Sequence, residues 1–173
     1  MKLRLKQIAY DSVHFTVNSH FDQQNFSGRM SAPLAHDFEQ ADLKVSVLVS
    51  ELSRSILETE DEQYTPMDIE VRFTGGPKTE SSFPFQFHIQ MSALVVLADP
   101  ERHTDEERQE YAELEGPRYL IGPMRELLLS LSSRSYFGPI VLPELNIGKI
   151  VKRAKMEALE RAADEKSQPE GAE

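Results

Sequence analysis

The sequence predicts an α+β fold: a four-stranded antiparallel sheet with helices packed on one face. In its first half, apolar and polar residues alternate with a period of two, which is typical of strands that bury one side. In its second half, apolar residues recur at helical spacing instead. Because the strands precede the helices and do not alternate with them, we expect α+β and not a parallel βαβ architecture.

Four strands are predicted. The first covers about 8–17 and changes parity near Asp11, which indicates a β-bulge. A long polar connection over 19–42 follows, and its length is typical of a crossover between distant strands. The remaining strands are expected at 43–50, at 67–74, where Gly75-Gly76-Pro77 would end the strand, and at 83–97.

Three helices follow the strands. Thr104 and Glu107 have the spacing of a capping box for a helix over 105–114. A second helix is expected over 119–134, with Pro123 marking either a kink or the start of its regular part. The last helix is expected over 147–165, and the polar tail 166–173 is expected to be disordered. We therefore expect one domain over 1–165 and an acidic, disordered tail.

Composition excludes several classes of function. With 19 Lys and Arg against 29 Asp and Glu, the net charge is −10, which argues against phosphate-driven nucleic-acid binding and against anionic membrane surfaces. The chain has no cysteine, so it has no disulfide, no thiolate nucleophile and no sulfur-bound zinc. Charges interrupt Met1-Lys2-Leu3-Arg4 where a signal peptide would be apolar, and no apolar run reaches about 20 residues. We expect a cytoplasmic protein without membrane insertion.

No catalytic or metal-binding motif stands out. The five histidines lack the i, i+4 spacing of a helical metal pair, so scattered surface residues are the favoured interpretation. Gly75-Gly76 lacks the Gly-Lys-Ser/Thr of a phosphate loop, and no nucleophile elbow occurs. The acidic residues over 105–115 favour a solvated helix face over a cation site. We therefore predict no enzyme activity, no metal and no cofactor.

Large apolar residues lie in unexpected places. Tyr136 and Phe137 stand between helices, and Phe21, Phe26 and Phe38 stand in the polar connection. Each of them is compatible with an ordinary core. Together, in a chain without a catalytic motif, they suggest apolar surface reserved for another polypeptide.

The second half of the chain resembles SecB, the bacterial protein-export chaperone. The resemblance rests on Arg125-Glu126, a Ser-Arg pair at Arg134 with the family's spacing, Phe137, an alternating apolar segment, and Asn146 opening the last helix. The four strands with a long crossover, and the Asp-aromatic pair that ends at Phe38, match the family as well. The resemblance extends over about 3–163. It implies that Arg125, Glu126 and Arg134 make structural ion pairs.

The resemblance implies an ATP-independent holdase. The expected assembly is a homotetramer, a dimer of dimers, that binds unfolded polypeptides or preproteins in apolar grooves and keeps them soluble and translocation-competent for export. The expected client contacts are the aromatic residues Phe21, Phe26, Phe38, Tyr136 and Phe137. Core packing and subunit contact remain alternative roles for each of them.

The partner of the chain stays open between alternatives. SecB proteins dock the SecA motor ATPase on acidic sheet residues, of which Asp11 matches one while Gln7 and His88 replace others. The acidic segment 99–115 is similar to that of SecB-like chaperones that accompany toxin–antitoxin pairs. An export holdase is thus the first hypothesis, and a chaperone dedicated to an antitoxin or another single client is the second. A regulatory or ligand-binding α+β module is the third.

Overall fold

The computed structural model describes residues 1–21, 38–53, 56, 64–80, 82–98, 103–142, 144–153 and 156. These residues form an α+β fold, as predicted. Its elements are β1 (Lys2–Val17), β2 (Ala41–Glu51), β3 (Tyr64–Pro77), β4 (Phe85–Ala98), α1 (Asp105–Glu115) and α2 (Arg118–Ser133). A 3-10 turn at Phe38–Gln40 precedes β2, and residues 147–153 are helical.

The four strands form one antiparallel sheet in the order β1-β4-β3-β2. The two strands that come first in the sequence therefore lie at opposite edges of this sheet. The connection between them must cross the whole sheet, which confirms the predicted crossover. Residues 22–37, which form most of that connection, lie outside the described part of the chain.

Two irregularities shape β1. The register with β4 shifts between Tyr10 and Ser12, which confirms the predicted bulge, and it shifts once more between Leu5 and Gln7. Each shift changes the parity of the strand once. As a result, the large apolar residues of β1 pair with residues of β4 that face the helices: Leu3, Leu5, Ile8, Tyr10, Val13, Phe15 and Val17.

The core lies between the sheet and the helices. The inner face of β4 is buried along its whole length, from Phe85 to Leu97, and the inner face of β3 is buried beside it. From the other side, α2 contributes Leu120, Met124 and Leu128, all at most 1% exposed. This apolar layer between the sheet and α2 holds the fold together, because its burial is the main favourable contribution to folding.

β3 ends at Pro77, the last residue of the predicted break, but Gly75 and Gly76 belong to the strand and do not end it. A Cβ atom at Gly75 would lie 2.2 Å from Phe87 Cζ and 2.9 Å from Leu43 Cδ2. Glycine is therefore required by packing, since the Phe87 ring of β4 occupies the space of a side chain. A glycine that makes room for a neighbour looks like a strand breaker in the sequence.

The helices begin close to their predicted positions. The capping box is confirmed: Glu107 N donates to Thr104 Oγ1 (3.2 Å), and Thr104 N donates to Glu107 Oε2 (2.9 Å). The second helix begins at Arg118 and runs through Pro123, so the alternative start at Pro123 is wrong.

The last predicted helix is described only in part. Lys149 N donates to Asn146 Oδ1 (3.0 Å), so the Asn146 side chain caps the helical residues 147–153. The expected remainder of that helix, except Met156, and the expected tail lie outside the described residues. Among the helices described, none has the length and apolar character needed to cross a bilayer.

Candidate functional site

Aromatic side chains gather on the helix side of the sheet, where β1 ends and β4 begins. Phe15 lies 5.3 Å from Phe85, measured between ring centroids, and Phe137 lies 6.2 Å from Phe85. Phe21 meets Phe137 edge-on at 5.1 Å. Such edge-to-face contacts are favourable beyond the apolar area that they bury.

The same group extends towards β2. Phe38 lies 5.8 Å from Phe83, and Phe83 lies 6.1 Å from Phe85. We call these rings together with Tyr136 the aromatic cluster: Phe15, Phe21, Phe38, Phe83, Phe85, Tyr136 and Phe137. Four of the five predicted client contacts thus come together in one place, and Phe26 lies outside the described residues.

The members of the aromatic cluster differ in exposure. Phe137 is 5% exposed, whereas the neighbouring Tyr136 is 71% exposed. Phe21 and Phe38 are partly buried against the core. Phe137 therefore anchors the cluster to the core, and Tyr136 presents its ring to the surroundings.

A buried serine fixes the segment that carries Tyr136 and Phe137. Ser132 Oγ, at the end of α2, accepts a hydrogen bond from Ile140 N (2.7 Å) and donates one to the Leu128 carbonyl (2.6 Å). Gly138 has a backbone φ of 77°, a conformation that residues other than glycine rarely adopt. These contacts turn the chain back after α2, so that Phe137 points into the core.

The inner face of β1 leaves large apolar side chains exposed. We call four of them the apolar strip: Leu5 (39% exposed), Tyr10 (56%), Val13 (40%) and Val17 (48%). All four pair with core residues of β4, so they continue the core face of the sheet beyond its covered area. Sequence periodicity places Tyr10, Val13 and Val17 on the correct face, whereas Leu5 precedes the predicted strand and the register shift at Leu5/Gln7. Periodicity does not reveal the exposure of these side chains, which follows from the edge position of β1. The strip and the aromatic cluster form one apolar surface, joined at Phe15 and Val17.

The Arg-Glu and Ser-Arg motif of the second half has mainly structural contacts. Arg125 Nη2 donates to the Leu142 carbonyl (2.8 Å) and thereby ties α2 to the segment that follows it. Glu126 and Arg134 point outward and are exposed. The predicted ion pairs of Arg125, Glu126 and Arg134 are not formed within the described part of the chain.

The opposite, outer face of the sheet carries a group of carboxylates around Asp11. Ser92 Oγ donates to Asp11 Oδ1 (3.1 Å), and Glu70 pairs with Arg72 at 2.7 Å. Partial burial raises the pKa of Asp68, and the negative charges of Asp11 and Glu70 raise it further. Of these carboxylates, only Asp11 was predicted. Asp68 and Glu70 look like ordinary polar positions of an alternating strand, and only the strand order brings them close to Asp11.

The similarity of this chain to known proteins lies in its structure and not in its sequence. No family model matches the sequence, and no curated protein matches it either. Among solved structures, the Mycobacterium tuberculosis SecB-like chaperone Rv1957, in complex with a ChAD peptide from the Rv1956 HigA1 antitoxin, superimposes with a TM-score of 0.51 at 16% identity. The match covers 83% of this chain and 91% of that chain.

A Streptococcus agalactiae protein of unknown function reaches a TM-score of 0.45 at 12% identity, covering 84% of this chain and 98% of that one. The mycobacterial structure is the more similar of these two. It supports the strand order, the crossover and the one-sided helices described above. The likeness shows that this chain has the fold of the SecB-like chaperones.

Proposed function

We propose that this protein is an ATP-independent chaperone that holds an unfolded polypeptide on the apolar strip and the aromatic cluster. The observation that carries the proposal is the exposed apolar strip, which lies on the core face of a SecB-like fold. Contact with other apolar groups is favourable for side chains such as Tyr10 and Val17. Their joint exposure does not stabilise a folded monomer, so a large exposed apolar patch indicates a binding surface. An unfolded chain supplies the apolar groups that a folded protein hides.

The client we propose is an antitoxin or a similar dedicated partner. The first hypothesis from sequence was protein export, but the mycobacterial SecB-like chaperone was solved with an antitoxin peptide, which favours the dedicated alternative. A net charge of −10 keeps such a protein soluble despite its exposed apolar surface. The same charge favours clients with basic segments.

The holding mechanism follows from weak, repeated contacts. Each apolar contact is sequence-tolerant and weak, and several of them along one client raise the affinity through effective concentration. Because β1 is an edge strand of the sheet, a client segment can also pair with its free side through backbone hydrogen bonds. A holdase of this kind binds unfolded chains and not native ones, and it thereby delays folding.

A homotetramer, a dimer of dimers, is part of the same proposal. Exposed apolar side chains extend beyond the strip to Leu129 and Val141 (41% and 42% exposed). This is more apolar surface than one client segment needs, so we expect subunit contacts to cover part of it. Several client sites then lie on one assembly, which increases avidity.

A second candidate function is an export holdase that docks the SecA motor ATPase. It is favoured by the acidic group formed by Asp11, Asp68 and Glu70 on the outer face of the sheet. Gln7 and His88 replace two carboxylates of the export family, which makes this candidate the weaker one. In this second candidate the outer face would receive SecA while the inner face holds the client.

The central experiment compares an exposed side chain on the helix side of the sheet with an exposed side chain on the opposite side. Tyr136→Asp is expected to reduce suppression of aggregation of a reduced, unfolded protein by at least fivefold, because it places a charge on the client surface. Leu48→Asp is the matched control, since Leu48 is 58% exposed and lies on the outer face. Equal activity of both variants and the original chain, all without ATP, would contradict the client surface. A compact monomer that holds no unfolded protein would instead support a regulatory or ligand-binding module.

The choice of client is tested by competition. The polypeptide encoded beside the gene of this chain, offered together with a SecA fragment and an export precursor, should be bound in preference to both. If the chain binds the SecA fragment instead, and if Asp11→Lys abolishes that binding, the export function is favoured. Ser46→Lys is the control for added positive charge, because Ser46 is exposed on the same outer face but lies on β2, at the other edge of the sheet.

A further inference from the structure

The outer face of the sheet brings two histidines together that lie far apart in the sequence. His14 of β1 and His88 of β4 are directly opposite each other in the antiparallel register. Their ring centroids are 6.3 Å apart, with an angle of 58° between the ring planes. Within the described part of the chain, neither imidazole has a hydrogen bond or an ion pair. Both rings therefore keep a nitrogen lone pair available.

The two rings lie in an open depression of about 700 Å³ at one end of the outer face. Polar groups surround them: the side chains of Thr16, Thr74 and Gln86 line the same depression. Lys44 lies there too, but its ammonium pairs with Asp42 at 3.0 Å, so its positive charge is offset. The depression has room for water molecules as well as for the two rings.

From this geometry we propose that His14 and His88 form a two-histidine site for a divalent transition-metal ion. Neutral imidazole is a ligand for Zn²⁺, Ni²⁺ and Cu²⁺, whereas Mg²⁺ prefers oxygen. With metal–nitrogen distances of about 2.0–2.1 Å, the two nitrogens must lie roughly 3 Å apart. The centroids are 6.3 Å apart, and rotation of the exposed His14 ring towards the half-buried His88 ring would reach that separation. Water completes the coordination, because no group of three or more His, Asp or Glu converges among the described residues.

A metal ion at this site links the two strands. β1 lies at an edge of the sheet and pairs with β4 alone among the described strands. A ligand that binds the paired strands and not the separated ones stabilises the pairing. His14 lies three positions before Val17, where β1 leaves the sheet for the crossover. The metal would hold the end of β1 that adjoins the aromatic cluster, and this inference does not depend on the chaperone proposal.

The test is titration of the tag-free full chain with Ni²⁺, followed by calorimetry. We expect one ion per chain, with His14→Gln and His88→Gln each weakening binding at least tenfold. Each single variant keeps one imidazole as a weak, single ligand, so the double variant should bind more weakly still. Because the chelate is already lost in either single variant, the loss in the double variant should be smaller than the product of the two single losses. His20→Gln is the matched control, because His20 is exposed beyond the end of β1 and lies 3.6 Å from Glu80. Cu²⁺ should bind more tightly than Ni²⁺, and Mg²⁺ should not bind.

A second readout does not depend on affinity. Ni²⁺ should slow amide hydrogen exchange in β1 of the original chain and should leave the exchange of His88→Gln unchanged. The proposal is overturned if either single variant binds as tightly as the original chain. It is overturned as well if His20→Gln loses as much affinity as His14→Gln, because independent surface histidines would then account for binding.

Discussion

Gly75 lies in β3 directly opposite Phe87, and Ala in its place would put a Cβ atom 2.2 Å from the ring. The ring cannot withdraw easily, because Phe87 is 3% exposed and packs edge-on against Phe73 at 5.2 Å. We expect Gly75→Ala to lower the free energy of unfolding by about 1–3 kcal/mol, as overpacking of a core does. Gly76→Ala is the control, since its nearest atom is 3.7 Å away, and it should stay within about 0.5 kcal/mol. Urea denaturation of both variants measures the difference.

Asp68 is a residue whose charge opposes folding. Its pKa is raised above the ordinary 3.8 by burial and by the charges of Asp11 and Glu70, so the native state binds its proton more tightly than the unfolded state. Stability contributed by the protonated form is complete below pH 3.8 and is lost as the pH rises through the raised pKa. We therefore expect Asp68→Asn to be more stable than the original chain at pH 7, with an advantage that shrinks towards pH 3.8.

Thermal or urea unfolding across that pH range checks the sign. Asp42→Asn serves as the control, because Asp42 lies exposed on the same face and pairs with Lys44. It should show no gain at pH 7. A loss of stability in Asp68→Asn at neutral pH would mean that the Asp68 carboxylate is favourable in the native state.

Between elements, the hydroxyl of Ser132 joins α2 to the segment that carries the aromatic cluster. Without it, the buried Ile140 N–H loses its acceptor, and an unsatisfied buried donor costs about 1–3 kcal/mol. We expect Ser132→Ala to lower the unfolding free energy by that amount. Ser133→Ala should be nearly neutral, because Ser133 is exposed and its hydroxyl donates to the carbonyl of Ser130, within the same helix. A neutral Ser132→Ala in urea unfolding would show that the segment is held by its apolar contacts alone.

The strands illustrate how far sequence patterns reach at the scale of elements. Alternation correctly predicts β4, because this strand lies between β1 and β3 and its inner face is fully buried. The same alternation in β1 identifies the inner face but not the exposure of Tyr10 and Val13. That exposure depends on the strand order, which is decided by contacts between residues distant in the chain. For the same reason, the approach of His14 to His88 is not visible in the sequence.

At the scale of the whole molecule, the exposed apolar surface lowers solubility and the net charge of −10 raises it. If subunits cover part of the apolar strip, a charge in it must weaken the assembly, because a buried unpaired carboxylate is costly. We expect Val13→Asp to lower the mass measured by light scattering from that of a tetramer to that of a smaller species. Ser46→Asp, exposed on the outer face of β2, is the control and should leave the mass unchanged. An unchanged mass in Val13→Asp together with lost holding activity would assign the strip to the client alone.

The sequence by itself determined the element types, the capping box, the bulge near Asp11 and the list of aromatic residues, because these depend on neighbours along the chain. It did not distinguish Phe137, which is buried, from Tyr136, which is exposed, although the two are adjacent and both aromatic. Only the tertiary structure decided that difference. It also decided that the apolar strip on β1 is exposed and that Asp68 and Glu70 lie near Asp11. The physical reason is that exposure and proximity depend on which strands become neighbours, and the energy of that choice is spread over the whole sheet and its core.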